Sequence, residues 1–206
     1  MPSPIKAVIF DVGGVLVRTD DPAPRQRLAE ELGLPLKTLY GIAFGGETWN
    51  QVQTGHISYD EHWQAAGRRL GLAWPDEVIA FRTAFFAGDR LDRNLIALIQ
   101  RLRPRYKIAL LSNAPDNLRH WITSEWSIPE DTFDAIVISA EAGVTKPDPA
   151  IFCTALARLG VEPHEAIFVD DFIENVQAAQ ALGIEAIHFT SPEALLEELK
   201  TRIEVP

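Results

Sequence analysis

The sequence contains a single cysteine, Cys153, among its 206 residues. One cysteine cannot form a disulfide within the chain, which excludes the disulfide-stapled folds of small secreted proteins and fits a reducing compartment. Long hydrophobic runs are also lacking. The apolar stretch near the N-terminus is interrupted by Asp11 and has no basic leader, so it predicts neither a signal peptide nor a membrane span. We therefore expect a cytoplasmic protein with no membrane partner.

Basic residues are scarce as well. Lys and Arg together number 19 against 29 Asp and Glu, which gives a formal net charge of -10. Proteins that bind nucleic acid depend on clusters of cations, so we expect no nucleic-acid partner. Hydrophobic residues make up 47% of the chain and charged residues 23%, close to the average of soluble globular proteins. A chain of this length favours one domain, with or without an inserted module.

Five short runs of β-branched and aromatic residues predict buried strands. They cover residues 5–10, 107–111, 134–138, 166–169 and 184–189. Four helical patterns separate or flank these runs, namely "DRNLIALIQRLR" with Leu91, Leu95, Leu98 and Leu102 on one face, then residues 149–159, 172–182 and "SPEALLEELK". Strands that alternate with helices predict an α/β fold with a doubly wound parallel sheet and helices on both faces.

Residues 18–88 break this alternation. They contain no good strand but several helical patterns separated by Gly and Pro, such as "PRQRLAEELGL" and "SYDEHWQAAGRRLGL". We predict that this segment is a helical insertion. The predicted core then comprises residues 1–17 and 89–206.

Polar side chains follow the predicted strands at their carboxyl ends, where ligands bind in open parallel sheets. They are Asp11, then Ser112 and Asn113, then Ser139 with Lys146 beyond it, and finally Asp170 and Asp171. Carboxylates that share a small space repel one another unless a cation lies between them, and Mg²⁺ prefers such oxygen ligands. Lysine and serine hold phosphate oxygens, and a carboxylate is a competent nucleophile. The set therefore favours phosphoryl transfer.

Several of these residues also have ordinary structural interpretations. Asp11 could cap a turn, and Ser112 with Asn113 could cap a helix that begins near Pro115. Lys146 could be a surface lysine in a loop.

The adjacent acids Asp170 and Asp171 favour metal binding, because they repel each other without a counter-charge. We expect Asp171 to be the better direct ligand and Asp170 to bind directly or through water. Asn175 is either a hydrogen-bonding partner of these ligands or an amide at a helix start.

Four motifs in order, "FDVGGVL", "LLSN", "GVTKPDPAIF" and "VDDFIEN", resemble those of the haloacid dehalogenase-like (HAD) hydrolase superfamily across nearly the whole chain. Most of its members are phosphatases with a Rossmann-like core, and the helical insertion resembles the family's small cap, which closes over the site. The resemblance implies that Asp11 is the nucleophile, and that Asp11, the carbonyl of Gly13, Asp170 and Asp171 bind the metal. It implies that Ser112, Asn113 and Lys146 bind substrate, with Lys146 also catalytic. It further implies that the amide of Asn175 supports the metal ligands.

Gly13 departs from the family pattern, since phosphatases of the family usually have an aspartate there that protonates the leaving alcohol. One interpretation is a phosphatase for good leaving groups such as sugar 1-phosphates, as in the glucose-1-phosphatase-like branch that the sequence resembles. A cap residue could also supply the acid, with Glu47, His56 and Asp60 as candidates. A 2-haloacid dehalogenase and a non-catalytic phospho-ligand or protein-binding module remain alternatives.

The sequence thus predicts a Mg²⁺-dependent hydrolase of small phosphate monoesters that forms an aspartyl phosphate. Its expected partner is a small phosphorylated metabolite, and its expected state is a monomer or a homodimer.

Overall fold

A computed structural model describes residues 5–205. The strands in this part of the chain are β1 (Ala7–Phe10), β2 (Val17–Thr19), β3 (Asp89–Leu91), β4 (Lys107–Ser112), β5 (Ala135–Ile138), β6 (Ala166–Asp170) and β7 (Glu185–His188). Five of them form one sheet in the order β5-β4-β1-β6-β7, and every pairing in it is parallel. All five predicted strands and the α/β fold class are confirmed.

Eleven α-helices occur in the described residues. They are α1 (Ala23–Glu31), α2 (Leu36–Ala43), α3 (Gly46–Gln53), α4 (Tyr59–Arg69), α5 (Pro75–Phe85), α6 (Arg93–Leu102), α7 (Leu118–His120), α8 (Ser139–Ala142), α9 (Pro149–Leu159), α10 (Ile173–Ala181) and α11 (Pro192–Arg202). The helix α7 continues as a π-helical turn, Trp121–Glu125. None of the helices in this range is long and apolar enough to cross a lipid bilayer.

The four helices predicted outside the insertion are confirmed as α6, α9, α10 and α11. One detail was wrong, because Leu91 lies in β3 and not on the apolar face of α6. Asp92 caps α6, since its carboxylate accepts a hydrogen bond of 2.9 Å from the main-chain N–H of Leu95.

The sheet has a hydrophobic core on each face, as alternation along a strand requires. In β1, Val8 and Phe10 contribute to the core under α6 and α11, while Ala7 and Ile9 contribute to the core under α9 and α10. All four side chains are fully buried. This two-sided burial explains why the central strands are continuous apolar runs in the sequence.

The helices α1–α5 form a cap with a hydrophobic core of its own, in which Leu39, Trp63 and Phe85 are almost completely buried. An antiparallel two-stranded ribbon, β2 with β3, joins this cap to the sheet domain. The ribbon corrects the prediction of no strand within 18–88, because β2 extends to Thr19. With only three residues and no apolar run, β2 has no sequence signal of a strand. The predicted boundaries at 17/18 and 88/89 lie in or beside this ribbon and stay a prediction.

A buried arginine ties the cap to both ribbon strands. The guanidinium of Arg25 on α1 donates hydrogen bonds of 2.8 and 2.7 Å to the two carboxylate oxygens of Asp89, and one of 2.9 Å to the hydroxyl of Thr19. It also donates a 3.0 Å hydrogen bond to the carbonyl of Phe85 and lies 4.5 Å from the centroid of the Phe85 ring. Hydrogen bonds from several nitrogens of one planar group, together with aromatic stacking, are contacts that arginine makes better than lysine.

Candidate active site

The parallel register brings the predicted site residues to one edge of the sheet. Phe10, the last residue of β1, pairs with Leu110 of β4 and Val169 of β6, so the residues that follow each of them lie side by side. Asp11 continues this register, since its N–H donates to the carbonyl of Val169 at 2.9 Å. Ser112 ends β4 and is buried, and Asp170 ends β6 and is completely buried.

Lys146 lies at the centre of this edge. Its ammonium forms ion pairs of 2.7 Å with Oδ1 of Asp11 and 2.7 Å with Oδ2 of Asp170, and it donates a third hydrogen bond of 2.9 Å to the carbonyl of Leu111. The side chain is almost completely buried, and its Nζ lies 5.5 Å from the centroid of the Phe168 ring. All three N–H donors of the ammonium are therefore used. The interpretation of Lys146 as a surface lysine was wrong.

Asn113 holds the main chain of Lys146 in place. Its Nδ2 donates to the Lys146 carbonyl at 2.9 Å, and its Oδ1 accepts from the Lys146 N–H at 2.7 Å. This pairing corrects the helix-cap interpretation of Ser112 and Asn113, because the next helix begins at Leu118 and not near Pro115. A direct contact of Asn113 with substrate stays a prediction.

Ser139, which follows β5, also has a structural role beside the site. Its hydroxyl accepts a 3.0 Å hydrogen bond from the N–H of Ala114, the residue after Asn113. The loop that carries Ser112 and Asn113 is therefore bonded to Ser139 as well as to Lys146.

The three carboxylates meet the geometric requirement for a shared cation. Asp11, Asp170 and Asp171 each offer an oxygen that lies within 4.8 Å of the other two. Oδ1 of Asp171 is buried and has no hydrogen-bond partner among the described residues. An orphaned carboxylate oxygen beside two further carboxylates fits a hard cation such as Mg²⁺, which prefers oxygen ligands.

Asp170 and Asp171 differ in how their oxygens are used. Oδ1 of Asp170 accepts from the N–H of Phe172 at 2.8 Å and from Nδ2 of Asn175 at 3.0 Å, and Oδ2 accepts from Asn175 at 3.1 Å as well as from Lys146. Protein donors therefore already surround Asp170, while Asp171 keeps a free oxygen. Asn175 thus hydrogen-bonds both oxygens of Asp170, and the role of Asp171 as a direct metal ligand stays a prediction.

Burial and the neighbouring charges together shift the pKa values of the groups in this cluster. Burial raises the pKa of Asp11 to about 6; the nearby Lys146 lowers it and Asp170 raises it further. Burial and then the neighbouring Asp170 also raise the pKa of Asp171. Burial alone would lower the pKa of Lys146, but Asp11 and Asp170 reverse that effect, so the pKa is raised and the ammonium stays charged. One ammonium against three carboxylates leaves a charge that a divalent cation would balance.

The turn after Asp11 brings Gly14 close to the carboxylate of Asp171. Gly14 has a positive φ of +81°, and a Cβ added to it would lie 2.1 Å from Oδ2 of Asp171. Glycine is therefore required here both for the backbone conformation and for the close approach of the carboxylate.

Gly14→Ala is expected to weaken Mg²⁺ binding by about 10- to 100-fold, because the added methyl group displaces the Asp171 carboxylate. Isothermal titration calorimetry with Mg²⁺ measures this loss. Gly71→Ala is the matched control, since Gly71 has a φ of +77° but a Cβ added there would meet no atom within 4 Å. Equal Mg²⁺ affinity of the Gly14→Ala variant and the wild type would contradict the prediction that Asp171 is a metal ligand.

The cap candidates for a missing acid have other partners. Asp60 forms a 2.7 Å ion pair with Arg82, and its side chain is 81% exposed. Glu47 accepts a hydrogen bond from a glutamine one turn along α3, and the ring of His56 bonds a neighbouring threonine. Among the described residues, none of the three candidates has a hydrogen bond to the carboxylate cluster.

Two contacts of the site carry no signal in the sequence. Gln53 of the cap donates a 3.2 Å hydrogen bond to the carbonyl of Asn113. His188, at the end of β7, bonds through Nε2 to the carbonyl of Asp171 at 3.0 Å. Neither residue follows a motif or a ligand spacing, and both contacts depend on how separate elements pack.

Comparison with known proteins supports the geometry. A family model described as "haloacid dehalogenase-like hydrolase" matches residues 5–183. The sesquiterpene phosphatase astK of Aspergillus oryzae is 32% identical over 199 residues, which cover 95% of each chain. The D-ribitol-5-phosphate phosphatase of Bacteroides thetaiotaomicron is 30% identical over 188 residues, which cover 88% of this chain and 90% of that protein.

A solved structure is similar over most of its length. It is a variant of a HAD family enzyme of Bacteroides thetaiotaomicron, in complex with magnesium and inorganic phosphate. It is 26% identical to this chain with a TM-score of 0.73, and the match covers 91% of this chain and 95% of that one.

Proposed function

Because the chain belongs to the haloacid dehalogenase-like hydrolase family, we propose that it is a Mg²⁺-dependent phosphatase of small phosphate monoesters that forms an aspartyl phosphate. The observation that carries this proposal is the convergence of Asp11, Asp170 and Asp171 with the buried Lys146 at one edge of the sheet. The two relatives from Aspergillus and Bacteroides, both named as phosphatases, support the reaction type.

The proposed chemistry uses this chain's own side chains in two steps. An oxygen of Asp11 attacks phosphorus, and the bond from phosphorus to the ester oxygen breaks, with the electron pair leaving on that oxygen. Water then attacks the phosphorus of the aspartyl phosphate, which restores the Asp11 carboxylate and releases phosphate. Lys146 offsets negative charge in both steps, and the Ser112 hydroxyl holds a phosphate oxygen.

The metal would be held by Asp11, Asp170, Asp171 and the carbonyl of Gly13. When bound, Mg²⁺ supplies positive charge against the phosphate oxygens and the nucleophile. The complex of magnesium and phosphate with the similar HAD family enzyme supports this assignment.

Gly13 limits the substrates that we propose. A glycine has no proton to donate to a departing alkoxide, so the site favours esters whose leaving group is stable without one. Sugar 1-phosphates meet this condition. Glucose 1-phosphate is our leading candidate, because the sequence resembles the glucose-1-phosphatase-like branch of the family. The cap of helices α1–α5 would choose among such substrates by closing over the edge of the sheet.

We further propose that the protein works in the cytoplasm on a small phosphorylated metabolite, as a monomer or a homodimer. We place the domain boundaries at the β2–β3 ribbon, with residues 18–88 as the cap. The net charge of -10 supports the proposal that nucleic acid is not a partner.

The test is a substrate panel of an aryl phosphate, glucose 1-phosphate, glucose 6-phosphate and a 2-haloacid, each with Mg²⁺ or with a chelator. We expect phosphate release that the chelator abolishes and that added Mg²⁺ restores, with glucose 1-phosphate hydrolysed faster than glucose 6-phosphate. Halide release that the chelator does not affect would favour a dehalogenase instead. Inactivity on all four, with retained binding of orthophosphate, would favour a non-catalytic module.

A further inference from the structure

The cap rests on the sheet domain beside the loop that carries the predicted phosphate ligand. Gln53 is the last residue of α3, and its Nε2 donates a 3.2 Å hydrogen bond to the carbonyl of Asn113, the residue after Ser112. These two residues are 60 positions apart in the chain. The bond is therefore a tertiary contact between cap and core and not a local one.

Two further contacts accompany this bond and bring the surfaces together. Gly55 lies so close to the core that an added Cβ would be 2.2 Å from the carbonyl oxygen of Ala140. The rings of Tyr59 and Trp121 meet edge to face, with centroids 5.2 Å apart. Both contacts are tight, but neither touches the residues that hold the carboxylate cluster.

The Gln53 contact differs because it leads directly to the catalytic groups. Its acceptor, Asn113, bonds the main-chain N–H and carbonyl of Lys146 through its own side chain. The ammonium of Lys146 in turn holds Asp11. A continuous path of hydrogen bonds thus runs from a cap amide to the predicted nucleophile, through only two intermediate residues.

We propose that Gln53 is a positioning residue that latches the cap and, through Asn113, fixes Ser112 and Lys146 for phosphate binding. The latch forms only when the cap lies on the core, so correct placement of the phosphate ligands is coupled to closure. This inference rests on the proposed phosphatase function. It adds to that function a cap residue that acts on the phosphate loop without touching the reacting atoms.

The test compares Gln53→Leu and Gln53→Glu with Gln51→Leu. Leucine removes the amide donor without adding charge. Gln51 lies on the same helix, and among the residues that the structure describes its side chain bonds only Glu47 of the cap. Loss of a single neutral hydrogen bond predicts a kcat/KM about three- to tenfold lower for Gln53→Leu, and at least as low for Gln53→Glu. Inhibition by the product orthophosphate should weaken by the same factor, and Gln51→Leu should stay within about twofold of the wild type.

Hydrogen–deuterium exchange supplies a readout that is independent of turnover. Main-chain exchange in residues 54–58 and 113–117 should be faster in both Gln53 variants than in the wild type, even if no substrate is hydrolysed. An inactive wild type with this exchange difference would refute the phosphatase proposal but keep the latch. Unchanged exchange with unchanged kcat/KM, or impairment of Gln53→Glu alone by its negative charge, would overturn the latch.

Discussion

Asp11→Asn is expected to lower kcat by about 10⁴-fold or more, the scale on which enzymes lose activity when a covalent nucleophile is removed. The amide is nearly isosteric with the carboxylate and keeps an acceptor for the Lys146 ammonium, but it is too weak a nucleophile to attack phosphorus. The loss should therefore be a loss of chemistry and not of structure.

Trapping the intermediate gives the most direct measurement. Acid quenching during turnover of a radiolabelled phosphate ester should leave label on the wild type that hydroxylamine removes, as expected of an acyl phosphate, and none on Asp11→Asn. Label that persists on the variant would show that another residue is the nucleophile. Circular dichroism confirms that the variant is folded.

Stability provides a second check on this variant. The folded-state pKa of Asp11 is about 6, above its ordinary value of 3.8, so ionisation of this buried carboxyl costs stability as the pH rises from about 4 through 6. Asparagine does not ionise. In the presence of a chelator, Asp11→Asn should therefore be more stable relative to the wild type at pH 7.5 than at pH 4, as measured by urea denaturation.

Gly13→Asp is expected to accelerate hydrolysis of esters with poor leaving groups by about 10² to 10⁴-fold, which is the usual contribution of general acid–base catalysis. The structure has room for this change, because a Cβ at Gly13 would meet no atom within 4 Å. The backbone φ there is not in the left-handed region, so a side chain brings no strain of the kind expected at Gly14.

The measurement is a series of phosphate monoesters whose leaving groups span a wide range of pKa. For the wild type, log kcat/KM should fall steeply as the leaving-group pKa rises; for Gly13→Asp the slope should be shallower. Gly13→Asn is the matched control, with the same shape but no acid. A similar gain with asparagine, or a wild type insensitive to the leaving group, would show that the site obtains its proton elsewhere.

The sheet and the core helices could be predicted because both have strong local patterns. Strands such as 166–169 are short apolar runs, and helix α9 begins and ends at the predicted residues, 149 and 159. The convergence of the polar residues at the strand ends could also be predicted, because a parallel sheet places the carboxyl ends of its strands at one edge.

The sequence could not show contacts between distant elements. The ribbon strand β2 is too short and too exposed to have a strand pattern, and the partners of Arg25 lie up to 64 positions away along the chain. The amide of Gln53 looks like any polar residue on a helix until the cap is placed on the core. Any prediction about substrate choice or cap closure that depends on such long-range contacts therefore needs the structure.

The contacts of Arg25 predict how the cap would open. The guanidinium of Arg25, on the first cap helix, bonds both strands of the β2–β3 ribbon and the end of the last cap helix. These parts therefore cannot move relative to one another without exposing a buried charge pair. The five cap helices also share one hydrophobic core, so we expect them to tilt as a single rigid lid. Such a lid would discriminate against oversized esters abruptly, at the size that prevents it from shutting, and not gradually through local loosening.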